Sequence, residues 1–173
     1  MKINKILFIA TLFIVFTSNA QITKGNWMMG GSLYLVRDKS TTDGNVSHVT
    51  AIDIKPNVGY FVIDKLALGT NTEIGFSSNR SEIFGIAPFI RYYFLEEEKK
   101  INIFSEFNYE FRKNNPGNYI TKRINFKTGA VFFLNSSVGI EMALNYANEN
   151  ANYNSQYSGI NFEVGFQIHL ERE

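Results

Sequence analysis

The sequence predicts an all-β protein, an eight-stranded antiparallel up-and-down transmembrane β-barrel. Three observations predict it. From Trp27 onward nearly every segment alternates apolar and polar residues with period two, the pattern of a strand with two unlike faces. The connections between these segments alternate between tight and long along the chain. Glycine and charge collect on one parity of the segments, while Phe and Tyr collect just before the tight connections.

The N-terminus stands apart from this pattern. Lys2 and Lys5 precede the uninterrupted apolar run "ILFIATLFIVF", and "TSNA" follows with small residues around Asn19. These are the charged, apolar and cleavage regions of a secretory signal peptide. The apolar run is far shorter than the roughly 20 residues of a membrane-spanning helix. The expected organisation is a signal peptide at 1–20, cleaved before Gln21, and a barrel domain at 21–173. Without Lys2 and Lys5 the 17 Lys and Arg fall to 15, against 16 Asp and Glu. That balance holds no basic stripe for nucleic acid. The absence of cysteine excludes disulfides, thiolate metal sites and a lipid-modified N-terminal cysteine.

Eight strands are expected, at 26–36, 48–62, 65–77, 82–95, 100–112, 119–134, 137–147 and 157–170, most of them far longer than the roughly five or six residues of soluble strands. The first begins the alternation at Trp27. The second sets Ile52, Ile54, Pro56, Val58, Tyr60 and Val62 against Ala51, Asp53, Lys55, Asn57, Gly59 and Phe61. The third sets Leu66, Leu68, Ile74 and Phe76 against Ala67, Gly69, Asn71, Glu73 and Gly75. The fourth carries Gly85 and Arg91 on its polar parity, the fifth Glu106, Glu110 and Arg112, and the sixth Arg123, Lys127 and Gly129. The seventh carries Gly139 and Glu141, and the eighth Gly159, Glu163 and Gly165. Tight connections follow the even-numbered segments at Ile63-Asp64, "EEEKK" and Asn135-Ser136. Longer polar ones, "DKSTTDGNVS", "SSNRS", "KNNPGNY" and "NENANYNSQ", follow the odd-numbered ones. Turns at one end, loops at the other and both termini at the turn end describe an even-stranded meander closed on itself.

Alternation leaves open which face points inward, and a soluble periplasmic ligand-binding barrel with its apolar face inside is the competing fold. Three features favour apolar-outward. The apolar parity carries no charged residue in its central stretches, with Lys122 close to a loop end; a midplane Arg or Lys there would cost about 2–4 kcal/mol. The glycines lie on the charged parity, as a narrow interior requires if long side chains are to cross it. The interior would hold Asp53, Lys55, Glu73, Arg91, Glu106, Glu110, Arg112, Arg123, Lys127, Glu141 and Glu163. Glu73, Glu106, Glu141 and Glu163 are expected to face Arg91, Arg112, Arg123 and Lys127 in a network that nearly neutralises itself. Lastly, Tyr60, Tyr92, Phe94 and Phe132, with their neighbours Phe61, Tyr93 and Phe133, would form an aromatic girdle at one membrane–water interface.

Over Trp27 to Leu170 the chain resembles the small bacterial outer-membrane β-barrel proteins, the porin-like group that includes OmpX and the OmpA transmembrane domain. The resemblance rests on the architecture and on the turn "GYFVIDKLALG". The last strand, "EVGFQIHL", adds Glu163, Gly165, Ile168 and Leu170 at the spacing by which such proteins are recognised by the barrel assembly machinery. The group usually ends on an aromatic residue, whereas "ERE" follows Leu170 here. The resemblance implies residence in the Gram-negative cell outer membrane, with outer-membrane lipids and lipopolysaccharide as partners. A peptidoglycan-binding domain of the OmpA kind is not expected.

Some barrels of this size modify lipopolysaccharide, which would call for His near Ser and a carboxylate at one rim. His48 stands beside Ser47 with Asp43 near, but "SHVT" lacks the His-x-Ser arrangement of the barrel deacylases, and His169 belongs to the opposite end. No enzyme is expected, and no catalytic, cofactor or metal site. Eight strands leave an interior that side chains fill, so a narrow ion-conducting pore is the other alternative to a structural or surface-interaction role. Surface partners would be met by the loops 38–47 and 148–156.

Overall fold

The computed structural model describes residues 22–42, 45–78, 82–115, 117, 119–151 and 155–170; the expected signal peptide lies outside them. Eight strands follow one another: β1 (Trp27–Thr42), β2 (Asn45–Ile63), β3 (Leu66–Ser77), β4 (Glu82–Tyr93), β5 (Ile101–Asn115), β6 (Tyr119–Phe133), β7 (Val138–Ala151) and β8 (Ser155–Leu170). Each pairs antiparallel with the next, and β8 returns to β1, so the sheet closes as an up-and-down barrel. The long strands arise because alternation lets one segment satisfy lipid on one side and polar groups on the other over its whole length, while closure pairs the backbone of each edge.

The apolar parity points outward. Leu33, Ile54, Leu68, Ile86, Phe107, Phe126, Leu144 and Phe162, one from each strand, are all exposed on the outer wall. This direction excludes the soluble barrel with an aromatic cavity. Along β8 the outward residues from Ile160 to Leu170 cover about 33 Å of strand at ~3.3 Å per residue, or about 25 Å of height at a tilt near 40°. Outward charge at Glu82, Lys113 and Lys122 lies at the loop ends of β4, β5 and β6. Ser105 and Thr128 interrupt the apolar wall, but their hydroxyls meet at 3.3 Å and the Thr128 hydroxyl donates to the Phe104 carbonyl at 3.1 Å. Phe107→Arg, in the middle of this wall, is expected to destabilise the lipid-inserted barrel by about 2–4 kcal/mol. The check is a lower urea midpoint in lipid vesicles, and an unchanged midpoint would contradict the outward assignment.

Two details of the turn end differ from expectation. The first tight connection is Asp64–Lys65 rather than Ile63–Asp64, because an irregularity between Phe61 and Ile63 shifts the register of β2 against β3. Lys65 takes the left-handed conformation at φ 66°, and its ammonium donates to Glu96 at 2.7 Å, a hydrogen bond that raises the Lys65 pKa. The other difference is that the residues before β1 are part of the structure. The Lys65 amide donates to the Ile22 carbonyl at 2.7 Å, the Gly25 amide to Phe61 at 2.9 Å, and the Lys24 amide to the Asp64 carboxylate at 2.8 Å. This stitching carries the Ile22 side chain into the barrel mouth, where it is fully buried.

Several strands run further at the loop end than their alternation indicates. Of the expected loop 38–47, residues 38–42 and 45–47 belong to β1 and β2; of 148–156, residues 148–151 and 155–156 belong to β7 and β8. The physical reason is that strands projecting past the lipid have water on their outer face, so both parities turn polar and the period-two signal disappears. The closing seam is uneven. β1 pairs with β2 from Trp27↔Tyr60 to Thr42↔Asn45, but with β8 only from Trp27↔Leu170 to Leu33↔Val164.

Candidate functional site

The inward parity of the eight strands builds two stacked regions, an ion-paired polar interior and an apolar plug at the turn end. Arg91 of β4 sits where they meet and has no solvent exposure. Its Nη2 lies 2.6 Å from Glu106 Oε2, and its Nε donates to the same oxygen at 2.8 Å. Nη1 bonds Glu141 and donates to the Tyr93 hydroxyl at 3.3 Å. The guanidinium also lies over the Phe104 ring, 4.4 Å from its centroid. Two charge-assisted bonds and a ring face replace the water that Arg91 has lost. Glu106 keeps its other oxygen for Asn71 at 2.9 Å and Asn108 at 3.1 Å.

Above this layer, Lys127 reaches Glu163 at 3.0 Å and Lys55 reaches it at 3.5 Å, while Asn145 donates to it at 3.3 Å. Towards the loops Arg112 pairs with Glu73 at 3.1 Å, and Arg123 lies 3.6 Å from Glu110. All five interior cations named from the sequence therefore have a carboxylate within 4 Å. Asp53 also lies on the inner wall, with Oδ1 in the space that a side chain at Gly75 would take, but it makes no ion pair among the described residues. Between these pairs lies an interior cavity of about 30 Å³ lined by Lys55, Glu73, Glu110, Lys127 and Glu163 among others, room for one or two waters.

Sequence reasoning missed Glu149. Its carboxylate takes Arg123 at 2.6 Å and Arg112 at 3.5 Å, joining the two loop-end cations. It shares the parity of Glu141, Asn145 and Ala147, so extending the seventh segment by two residues finds it; the Asn-rich composition had marked that stretch as loop.

The aromatic girdle divides. Tyr60, Tyr92, Phe94 and Phe132 are on the outer wall, with Trp27 edge-on to Tyr60 at 5.1 Å and Tyr92 edge-on to Phe94 at 5.2 Å. Phe61, Tyr93 and Phe133 belong to the opposite parity, the first two fully buried inside and Phe133 packed against them, so their inclusion in the girdle is corrected. They form the plug with Ile22, Met28, Ala67, Phe104 and Val131. The His169 ring joins them, with centroids 5.6 Å from Phe61, 5.9 Å from Tyr93 and 5.4 Å from Phe133. His169 is thus a buried packing residue of the plug rather than a polar group on the rim. At the loop end His48 lies in β2, and its side chain and Asp43 fall outside what the structure describes.

In β8, Glu163 and Gly165 face inward while Ile168 and Leu170 face outward, so the four residues named as an assembly signal straddle both walls. No family model matches the chain, and no curated protein matches it. Solved structures do. Neisserial surface protein A is 11% identical over 84% of this chain and 97% of its own, with a TM-score of 0.56. The N-terminal β-barrel domain of OprF from Pseudomonas aeruginosa is 8% identical over 85% of this chain and 98% of its own, at 0.55. The outer membrane protein OprG from the same organism is 13% identical over 89% of this chain and all of its own, at 0.52. At such identities the likeness is one of fold: an eight-stranded closed barrel of the kind found among bacterial outer-membrane proteins.

Proposed function

We propose that the chain is an outer-membrane barrel of the OmpX and OmpA-domain type, with a closed interior and a structural or surface-interaction role. The observation that carries this reading is the combination of an apolar outer wall on every strand with an interior filled by long charged side chains, whose cations named from the sequence are all ion-paired. An apolar exterior needs lipid, and a filled interior offers no passage. Residues 1–20 direct export in this reading and are removed. Glu163, Gly165, Ile168 and Leu170 serve recognition by the barrel assembly machinery. Outer-membrane lipids and lipopolysaccharide surround the wall. The protein is not an enzyme and holds no cofactor.

The test is membrane fractionation of the full-length protein in a Gram-negative host, followed by gel mobility with and without boiling and by planar-bilayer recording. The expected result is an outer-membrane band that runs faster unboiled, with no steady current. Recovery as a soluble periplasmic protein would overturn the reading. A sustained current would replace it with that of a narrow pore. Loss of an acyl chain from lipopolysaccharide on adding the protein, abolished by His48→Ala, would replace it with that of an enzyme.

A further inference from the structure

The seam between β1 and β8 is joined only in its lower part. Past Leu33↔Val164 the two strands continue, β1 from Tyr34 to Thr42 and β8 back from Glu163 to Ser155, with no ladder between them among the described residues. Each stays fully paired on its other side, β1 to β2 as far as Thr42↔Asn45 and β8 to β7 as far as Ala151↔Ser155. Two complete hairpins therefore part at a fork. The first pair past it would set Tyr34 beside Glu163, a carboxylate already tied to Lys127 at 3.0 Å and to Lys55 at 3.5 Å.

The fork lies within the apolar band, because the outward residues of β8 on its open side, Phe162 and Ile160, are still large and apolar; Ile160 has 71% of its surface exposed. Just past the fork, backbone N–H and C=O groups of both edges therefore lie within the apolar band without ladder partners, where no water can satisfy them. A row of alternating donors and acceptors is satisfied by another polypeptide edge. The two edges that complete each other in register are these two. We infer that the open seam is a strand-addition surface for a second copy of this chain. In this pairing β1 above the fork joins β8 of the other copy, and β8 joins its β1. The register continues that of the lower seam, Leu35 opposite Phe162 and Arg37 opposite Ile160. The exchange is two-fold and leaves no edge over, and the parity is right, since the same two strands already share an inner and an outer face below the fork. This inference rests on the membrane-barrel reading above.

The chain has no cysteine, so engineered pairs report without background. Facing residues in an antiparallel ladder have Cα atoms about 4.5–5.5 Å apart, within disulfide reach. Leu33→Cys with Val164→Cys, below the fork, is the control: under mild oxidation in lipid vesicles it should crosslink within one chain and report a folded barrel. Leu35→Cys with Phe162→Cys, above the fork, should give covalent dimers. A mixture of copies carrying only Leu35→Cys with copies carrying only Phe162→Cys should do the same, whereas neither single variant should crosslink to itself. A crosslink within one chain at 35 and 162 would overturn the inference, because the barrel would then close on itself. So would its absence from an otherwise folded control, and so would crosslinking of either single variant alone, which marks random collision. Failure of the control, by contrast, would count against the barrel itself.

Discussion

Replacing Arg91 with methionine is expected to destabilise the barrel by about 3–5 kcal/mol, because removing one partner of a buried ion cluster leaves the others uncompensated. Glu106 and Glu141 reach Arg91 from two other strands and are themselves almost wholly buried. Without the guanidinium neither carboxylate has another cation within 4 Å among the described residues. The measurement is the urea midpoint of the lipid-inserted barrel, read as the loss of the fast-migrating unboiled band. Arg91→Met combined with Glu106→Gln and Glu141→Gln should recover much of the loss, since a buried triad removed as a whole costs far less than one broken. A single variant within about 1 kcal/mol of the parent, the worth of an ordinary exposed pair, would mean that water reaches the Arg91 layer.

Gly69→Val is expected to prevent the barrel from forming, with a cost of at least about 3 kcal/mol, at the upper end of what overpacking inflicts. A Cβ built at Gly69 would stand 2.2 Å from the Val58 carbonyl oxygen, 2.7 Å from the Gly59 Cα and 2.5 Å from the Phe89 ring. The first two are backbone atoms of the neighbouring strand in the ladder, so no rotamer change relieves them. Gly139 is the internal contrast. A Cβ there would meet the Val131 Cγ2 methyl at 2.5 Å, and its nearest backbone oxygen is 3.5 Å away. Gly139→Ala should therefore fold with a modest loss by side-chain repacking. Equal yields of folded Gly69→Val and parent barrel would show that the wall at β2 and β3 gives way more easily than a ladder should.

What the sequence discloses is uneven along each strand. In the middle of the wall, alternation sets Phe107 outward between the inward pair Glu106 and Asn108, and physics leaves no other arrangement once lipid lies on one side. Toward the loops both sides meet water, so residues such as Glu149 read as loop although they continue an inward row. Toward the turns both parities are apolar or aromatic, and Tyr92 and Tyr93 look alike although one faces out and the other is fully buried. Composition cannot separate a girdle from a plug when the same ring types serve both. Ile22 could not be anticipated at all, because its place depends on backbone hydrogen bonds to Lys65 and Phe61 that leave no periodic trace. The fork in the seam is likewise invisible, since Phe162 and Ile160 continue the outward apolar row of β8 past the point where its pairing with β1 stops.

The plug has a consequence for how the molecule comes into being. Met28, Phe61, Ala67, Tyr93, Phe104, Val131, Ala143 and His169 come one from each strand in order, the first seven in the buried apolar cluster and the last in contact with its rings. No hairpin or run of hairpins owns enough of this cluster to assemble it alone. A chain with seven strands in place already carries the apolar residues of the plug, but the wall beside them stays open until the eighth strand brings His169 against their rings. The last strand therefore makes its ladder to β1 and the ring contacts of His169 in the same step, and the turn end is sealed only when both are in place.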